Sequence, residues 1–205
     1  MEIRSLQAAD VAAAFALATQ VFVEHGTLHR ALGADLETYR AYLRPEFQAM
    51  VDEGLSVCAV DPSGRMLGCM IVVDFHGPLR AAPGRHPVFA PVSALMSALG
   101  AAYARQYTIA PGEVILIDMG AVVTEATGAG VYRAMRAKVQ RIAGTRGFRR
   151  VVGELSSAAT QHVVLNRLGH KKIAEIAFAG FEHQGKRPFA SITDPPGIIL
   201  AEGDL

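Results

Sequence analysis

The chain lacks tryptophan, has only two cysteines among 205 residues, and carries a formal net charge of +1. So small a charge, with basic residues scattered along the chain, argues against a nucleic-acid or anionic-membrane surface. Cys58 and Cys69 each lie in an apolar run, "LSVCAV" and "LGCMIVV". These cysteines predict buried structural thiols rather than a zinc site or a secreted disulfide scaffold.

Three further absences narrow the class of protein. No uninterrupted apolar run reaches the roughly 18 residues that span a bilayer, and "MEIRSLQAAD" lacks the basic start and apolar core of a signal peptide. The histidines are scattered along the chain and no Cys-x-x-Cys pair is present, so we expect no metal. We expect a cytoplasmic protein without a membrane span.

The composition, 51% hydrophobic and 19% charged residues, is typical of a globular protein, and no linker or internal repeat divides the chain. We therefore expect one domain over residues 1–205. The Ala-rich stretch "APVSALMSALGAAYARQY" predicts a helix that packs in the core, lines a pocket or forms a homodimer contact.

Hydrophobic patterning predicts the order β, α, α, β, β, α, β, α, β, α, β, β. The runs around Cys58 and Cys69 are joined by the turn "PSGR" and predict an antiparallel hairpin, followed by a loop in "HGPLRAAPGRHP". Pro45 predicts a kink or a break between two shorter helices. "EVILIDMGAVV" reads as a strand buried on both faces. The order predicts an α/β fold: a mixed sheet of about seven strands with helices on both faces.

"GAVVTEATGAGVYRAM" leads from that strand into a helix through two glycines. The stretch lacks the Lys-Ser/Thr of a nucleotide P-loop, and Arg133 stands where a dinucleotide fingerprint needs its third glycine. Two readings remain: a tight turn without a ligand, or a diphosphate site. Free backbone N–H groups at a helix start bind phosphates, and glycines leave that surface bare.

With this loop, its flanking strand and helix, and "VVGELSSAATQHVVLNRLG" behind them, the chain resembles the GNAT superfamily of acyl-CoA-dependent N-acetyltransferases. The resemblance implies a GNAT-like fold and acetyl-CoA as cosubstrate, with the diphosphate on the loop backbone. Arg133 or Arg136 would add positive charge nearby. The residues implied to bind the cofactor are Val122, Thr127, Gly128, Ala129, Gly130, Val131 and Tyr132.

The chain departs from the GNAT pattern at five positions in this region, one of which is Thr124, where Pro is common. Thr127 replaces the usual Arg or Gln, Tyr132 replaces the last Gly or Ala of the loop, and His170 replaces the Phe that usually follows Gly169. Leu165 stands where many members place a Tyr that protonates the departing thiolate. These departures leave a non-catalytic acyl-CoA-binding or regulatory protein as an alternative to an enzyme.

A narrower similarity, to arylalkylamine N-acetyltransferases, is carried by "VFVEHGTLHRALG", "DEGLSVCAVDPSGRMLG" and "FAGFEHQGKRPF". In those enzymes an acidic residue near the end of the first helix is the base. The corresponding place here is Gly26, directly after Glu24 and His25. The similarity implies transfer of an acetyl group to a primary amine of a small molecule, with a protein or peptide amine as a further alternative.

An alkylamine attacks a thioester only when neutral, so such an enzyme gains from a base. Glu24 and His25 are candidates, with a solvated helix end as the alternative reading. Asp118 is another, because a carboxylate in an apolar strand needs a cleft or a partner; a hydrogen-bonded structural Asp is the alternative. Ser157, with Ser156, is a candidate hydrogen-bond donor to the thiolate, or alternatively a helix cap.

Overall fold

Seven strands form one mixed sheet in the computed structural model, which describes residues 1–76 and 86–205. The spatial order is β1-β2-β3-β4-β5-β7-β6, with β4 and β5 parallel and every other neighbouring pair antiparallel. This confirms the predicted fold class. The strands are β1 (Glu2–Ser5), β2 (Val57–Val60), β3 (Met66–Asp74), β4 (Val114–Val122), β5 (Arg150–Leu155), β6 (Lys171–Ala177) and β7 (Gly197–Asp204).

The helices differ from the prediction in two places. Pro45 does not break its helix, which runs unbroken from Leu36 to Asp52, because side chains on both sides of the proline, Leu43 and Phe47, are held in the core. A short helix that the patterning missed follows Gly26. The helices are α1 (Val11–His25), α2 (Thr27–Leu32), α3 (Leu36–Asp52), α4 (Ala90–Ala104), α5 (Val131–Thr145) and α6 (Ala158–Gln161), which continues as a π-helical turn (His162–Arg167).

Helices cover both faces of the sheet. The front face packs against α1, α3 and α4, whereas the back face packs against α5 and the π-helical turn. On β5, Val152 faces the front and Val151 faces the back, as strand alternation requires. The pairing of Cys58 with Cys69 across the β2–β3 hairpin, both as buried free thiols, confirms the hairpin. Residues 77–85 of the predicted loop lie outside the described residues.

The sheet opens between its two parallel strands. Pairing of β4 with β5 ends at Ile117 opposite Gly153, although both strands continue. At the same level β4 contains a bulge: Ile71 pairs with Met119 and Val72 with Ile117, so Asp118 is the extra residue. A bulge re-aims the side chain it carries. We call this opening, bounded by Ile117 and Gly153, the strand fork.

One stretch, Pro87–Ala104, is long and apolar enough to cross a membrane by length and composition, with a mean hydropathy of 1.4 over 18 residues. The same test is passed by core helices of globular proteins. Leu95, Leu99 and Tyr103 of this helix are fully buried against the front face. This face of α4 packs in the core, while 28% of the 18-residue window as a whole is buried in the described structure.

Tyr103 joins α4 to the sheet through a buried polar network. Its hydroxyl group contacts the Glu202 carboxylate and accepts a hydrogen bond of 3.0 Å from Arg150, which also pairs with Glu113 at 2.7 Å. We expect Tyr103→Phe to lower the free energy of unfolding by about 1–3 kcal/mol, because it removes one partner from buried charged groups.

Urea denaturation measures this change. Tyr107→Phe is the matched control, since the Tyr107 hydroxyl bonds to no described residue. Equal stability of the two variants would show that the Tyr103 hydroxyl group contributes nothing to stability.

Candidate active site

The glycine loop before α5 takes its shape from two left-handed residues. Gly128 and Gly130 have φ of 81° and 80°, where side chains are strained, and a Cβ at either would meet open space. The N–H groups of Thr127 and Ala129 are used within the loop, bonding to Thr124 and Ala126. Those of Gly128 and of residues 130–133 bond to no acceptor among the described residues. The free amides are available to an anion.

Other residues predicted to bind the cofactor lie around this loop. Val122 is the last residue of β4 and pairs with Gly68, while Val131 is buried in the core beneath α5. The Tyr132 ring packs on Gly120, where a Cβ would come within 2.8 Å of the ring. The Tyr132 side chain therefore reaches the strand fork. Its position at the end of the loop gave no indication of this.

Two adjoining cavities meet at the fork. The first, of about 240 Å³, we call the fork chamber; it lies between the ends of β4 and β5 and is lined by residues that include His25, Gly120, Tyr132, Arg136, Gly153 and Ser157. The second, of about 480 Å³, we call the aromatic chamber; it lies on the front face and is lined by residues that include Phe22, His29, Tyr39, Tyr42, Glu46 and Phe89.

Asp118 and Glu154 border both chambers. Each follows the last residue at which β4 and β5 pair with each other, Ile117 on β4 and Gly153 on β5. Asp118 is exposed to the cavity space, whereas Glu154 is partly buried. Both carboxyl groups lie among protein atoms that desolvate them.

Burial raises the pKa of both carboxyl groups, and neighbouring acids raise it further. The pKa of Asp118 rises to about 6, through desolvation and then the charge of Glu46. The pKa of Glu154 rises to about 8, through desolvation and then the charge of Asp118. The two environments separate the pKa values, so near pH 7 Asp118 is mainly ionised and Glu154 mainly protonated.

The aromatic chamber is neutral apart from its acids. His29 stacks edge-on against Tyr39 at 4.3 Å between ring centroids, and desolvation lowers the His29 pKa to about 4, so this ring is uncharged at neutral pH. Phe89 lies 4.6 Å from the Tyr42 ring. The result is an apolar, aromatic space with carboxyl groups on its wall.

The structure separates the predicted catalytic residues. His25, Asp118 and Ser157 line the fork chamber, whereas Glu24 lies outside both cavities, exposed and bonded to Gln20. The position that matches the family's base cannot hold a carboxylate: a side chain at Gly26 would overlap the carbonyl oxygen of Phe22. The end of the first helix, where relatives place a catalytic base, therefore contributes no carboxylate to the fork chamber.

Ser157 caps α6. Its hydroxyl accepts a bond of 3.2 Å from the Thr160 amide and lies 2.8 Å from the Thr160 hydroxyl. The capping alternative for Ser157 is thus observed, at a place that also borders the fork chamber. Its proposed contact with a thiolate stays a prediction.

Sequence reasoning missed Glu154, although the signal that identified Asp118 was present there as well. Glu154 stands in the apolar strand stretch "RRVVGELSS", where a carboxylate is as costly as in β4. Arg136 was considered only as a charge near the loop. The structure buries it beside the fork chamber.

No protein-family model matches the chain, and no curated protein matches it in sequence. Solved structures do match. A condensation domain of Ebony in complex with beta-alanyl-dopamine superposes with a TM-score of 0.87 at 17% identity, covering 100% of this chain and 98% of that one. A mosquito arylalkylamine N-acetyltransferase-like protein (5b) gives 0.81 at 14%, covering 100% and 99%.

A third match names the superfamily. A GNAT phosphinothricin acetyltransferase from Sinorhizobium meliloti, in complex with AcCoA, has a TM-score of 0.59 at 16% identity and covers 100% of this chain and 88% of that one. The chain has the GNAT fold. This confirms the resemblance inferred from the loop and its neighbours. At these identities the agreement concerns the fold, and the chemistry must be argued from the site.

The raised pKa of Glu154 makes stability depend on pH. A carboxyl group with a higher pKa in the folded state binds more protons there than when unfolded, so ionising it costs stability as the pH rises from about 4.5 through 8. We expect Glu154→Gln, which cannot ionise, to gain about 1–2 kcal/mol over the parent at pH 9 and almost nothing at pH 5.

Urea denaturation across this pH range measures the difference. Glu2→Gln, a change at an exposed strand residue, is the control and should leave the pH dependence as it is. A constant difference between the Glu154 variant and the parent at all pH values would mean that this carboxyl group is ordinarily hydrated.

Proposed function

We propose that the protein is an acyl-CoA-dependent N-acyltransferase that transfers an acyl group, acetyl in the simplest case, to a primary amine of a small molecule. One observation carries the proposal: two carboxyl groups with separated pKa values border both cavities at the strand fork. A base and an acid are what aminolysis of a thioester requires. The GNAT fold supports the same reaction class.

The donor would approach from the back face. The free amides of Gly128 and residues 130–133, at the positive end of the α5 dipole, suit a diphosphate. A GNAT protein of the same fold is known in complex with AcCoA. CoA bound there would direct its thioester into the fork chamber.

The acceptor would occupy the aromatic chamber. Aromatic faces and nearby carboxylates both attract an alkylammonium group, and Tyr39, Tyr42 and Phe89 offer an apolar surface to the rest of the molecule. This arrangement favours an amine with an apolar or aromatic body. It is in keeping with the arylalkylamine N-acetyltransferase-like protein among the structural matches.

The two acids would divide the proton transfers. Asp118 takes a proton from the ammonium group, and the neutral nitrogen attacks the thioester carbonyl carbon. As the C–N bond forms and the C–S bond breaks, Glu154 gives its proton to the departing sulfur. A second proton leaves the nitrogen for solvent, and exchange with solvent returns both acids to their starting states. Glu154 thereby fills the role that the Tyr missing at Leu165 has in many relatives.

We expect Asp118→Asn to lower kcat/KM about a hundredfold or more, and Glu154→Gln about tenfold to a hundredfold, because each removes one proton-transfer group. In the parent, kcat/KM should rise through an apparent pKa near 6 and fall above about 8. Thiol release from acetyl-CoA over an amine panel gives these rates.

Asp52→Asn, at an exposed residue of α3, is the control. Full activity of the Asp118 variant together with loss in Glu24→Gln would return the base to the end of α1. Binding of acetyl-CoA without thiol release for any amine would favour the non-catalytic alternative.

The loop is tested by a matched pair of glycine variants. Gly130 and Gly64 have φ of 80° and 87°, and a Cβ at either meets open space, so Ala costs each site about 1–2 kcal/mol of backbone strain. We expect only Gly130→Ala to weaken acetyl-CoA binding, about fivefold or more, because only its methyl group stands among the free amides. Calorimetric titration measures the affinities; equal affinities would place the diphosphate elsewhere.

A further inference from the structure

Arg136 is a buried cation without a counter-ion. Its side chain is on the second turn of α5 and the residue is 2% exposed. Its two terminal nitrogens lie 3.4 Å from the Tyr132 hydroxyl and 3.5 Å from Nε2 of His170, and its Nε has no hydrogen-bond partner. No described carboxylate lies within salt-bridge distance of it. Burying a charge this way costs several kcal/mol, which natural cores avoid unless a partner arrives.

Two glycines make room for the side chains that hold Arg136. The Tyr132 ring lies on Gly120 of β4, and the His170 ring lies on Gly203 of β7, where a Cβ would come within 2.5 Å of the imidazole. Any larger residue at either position would displace its ring. The guanidinium group therefore lies between two rings, each of which is fixed in place by its contact with a glycine.

Arg136 lines the fork chamber from the back face. Gly153 is on the same face as Val151 and adds no side chain to the chamber wall beside Arg136. Glu154 is on the front face with Val152. Neither Asp118 nor Glu154 owes its pKa shift to Arg136. The chamber therefore has a positive back wall and an acidic front wall.

We infer that Arg136, with the Tyr132 hydroxyl beside it, forms an anion subsite at the back wall of the fork chamber that binds a carboxylate on the acyl chain of the donor. The inference rests on the proposed function and narrows it to acyl groups that end in a carboxylate. A guanidinium group with an unused Nε and weakly engaged terminal nitrogens can form paired bonds to a carboxylate.

Size and burial separate this subsite from the diphosphate site. The free amides of the glycine loop are at the exposed surface, whereas Arg136 is enclosed beside a chamber of about 240 Å³. A short acyl chain fits that space, while a diphosphate fits the open loop. The ionisable groups near Arg136 do not neutralise its charge. Burial and the Arg136 charge lower the pKa of His170 to about 4, whereas the charge of Asp204 raises that pKa.

Calorimetric titration of free CoA, acetyl-CoA and succinyl-CoA tests the inference. We expect the parent to bind succinyl-CoA more tightly than acetyl-CoA. Arg136→Met should weaken succinyl-CoA binding about tenfold to a hundredfold and change acetyl-CoA binding less than threefold. Arg141→Met, an equal loss of charge at an exposed position of α5, is the control. An equal loss for all three ligands would assign Arg136 to the diphosphate and overturn the inference.

A second measurement is independent of CoA. Succinate alone, at millimolar concentration, should raise the melting temperature of the parent and shift the His170 ring signals in NMR spectra, and should do neither in Arg136→Met. The ligand-free variant should be as stable as the parent or more so, since it removes an uncompensated buried charge. Should it fail to fold, Arg136→Lys, which keeps the charge without the paired donors, takes its place.

The outcomes separate the two proposals. A succinate response without binding of any CoA ester would keep the anion subsite and overturn the proposed function. Binding of acetyl-CoA with neither a succinate response nor a succinyl-CoA preference would overturn the subsite and keep the function.

Discussion

The parting of β4 from β5 is the constraint on which the site depends. Pairing stops after Ile117 and Gly153 while both backbones continue, so the sheet, which would otherwise separate the two helical layers, has an opening. The bulge at Asp118 turns an additional side chain to the front at that level. Asp118 and Glu154 stand at this opening, where they border both the fork chamber and the aromatic chamber.

Charge is distributed across this opening in a way that ordinary packing does not explain. Carboxyl groups occupy the front and an unpaired guanidinium group the back, and each is costly where it lies. An acceptor with an ammonium group would offset the cost of the carboxyl groups at the front, and an anionic donor would offset that of the guanidinium group at the back. Tyr132 and His170, which hold Arg136, are also two of the positions where the chain departs from the GNAT pattern. Two of the departures that suggest an eroded cofactor site are therefore the residues that contact Arg136.

Much of the fold follows from local signals. The hairpin around Cys58 and Cys69, the apolar strand β4 and the glycine turn before α5 each have a short-range pattern, and the structure contains them all. The break that Pro45 allowed does not occur, because the packing of Leu43 and Phe47 outweighs one missing helical hydrogen bond. Helix α2 has only six residues, too few for a periodic pattern.

The site was less accessible to sequence reasoning. Asp118 was recognisable because a carboxylate in an apolar strand is costly, and Glu154 offered the same signal. Their proximity was not recognisable, since it arises from a bulge and from the level at which strand pairing ends, and neither has a sequence signature. Arg136 adjoins Met135 at the edge of the apolar stripe of α5, where the sequence pattern indicates a solvent-facing arginine and gives no sign of its contacts with Tyr132 and His170.

The central claim is that the strand fork holds two poorly hydrated carboxyl groups that titrate apart. The most direct measurement is a carbon-13 NMR titration of the side-chain carboxyl signals, assigned with the Asn and Gln variants. The account predicts that the signal of Glu154 titrates above pH 7 and that of Asp118 between about 5 and 7. Titration of both near pH 4, as in exposed acids, would contradict it.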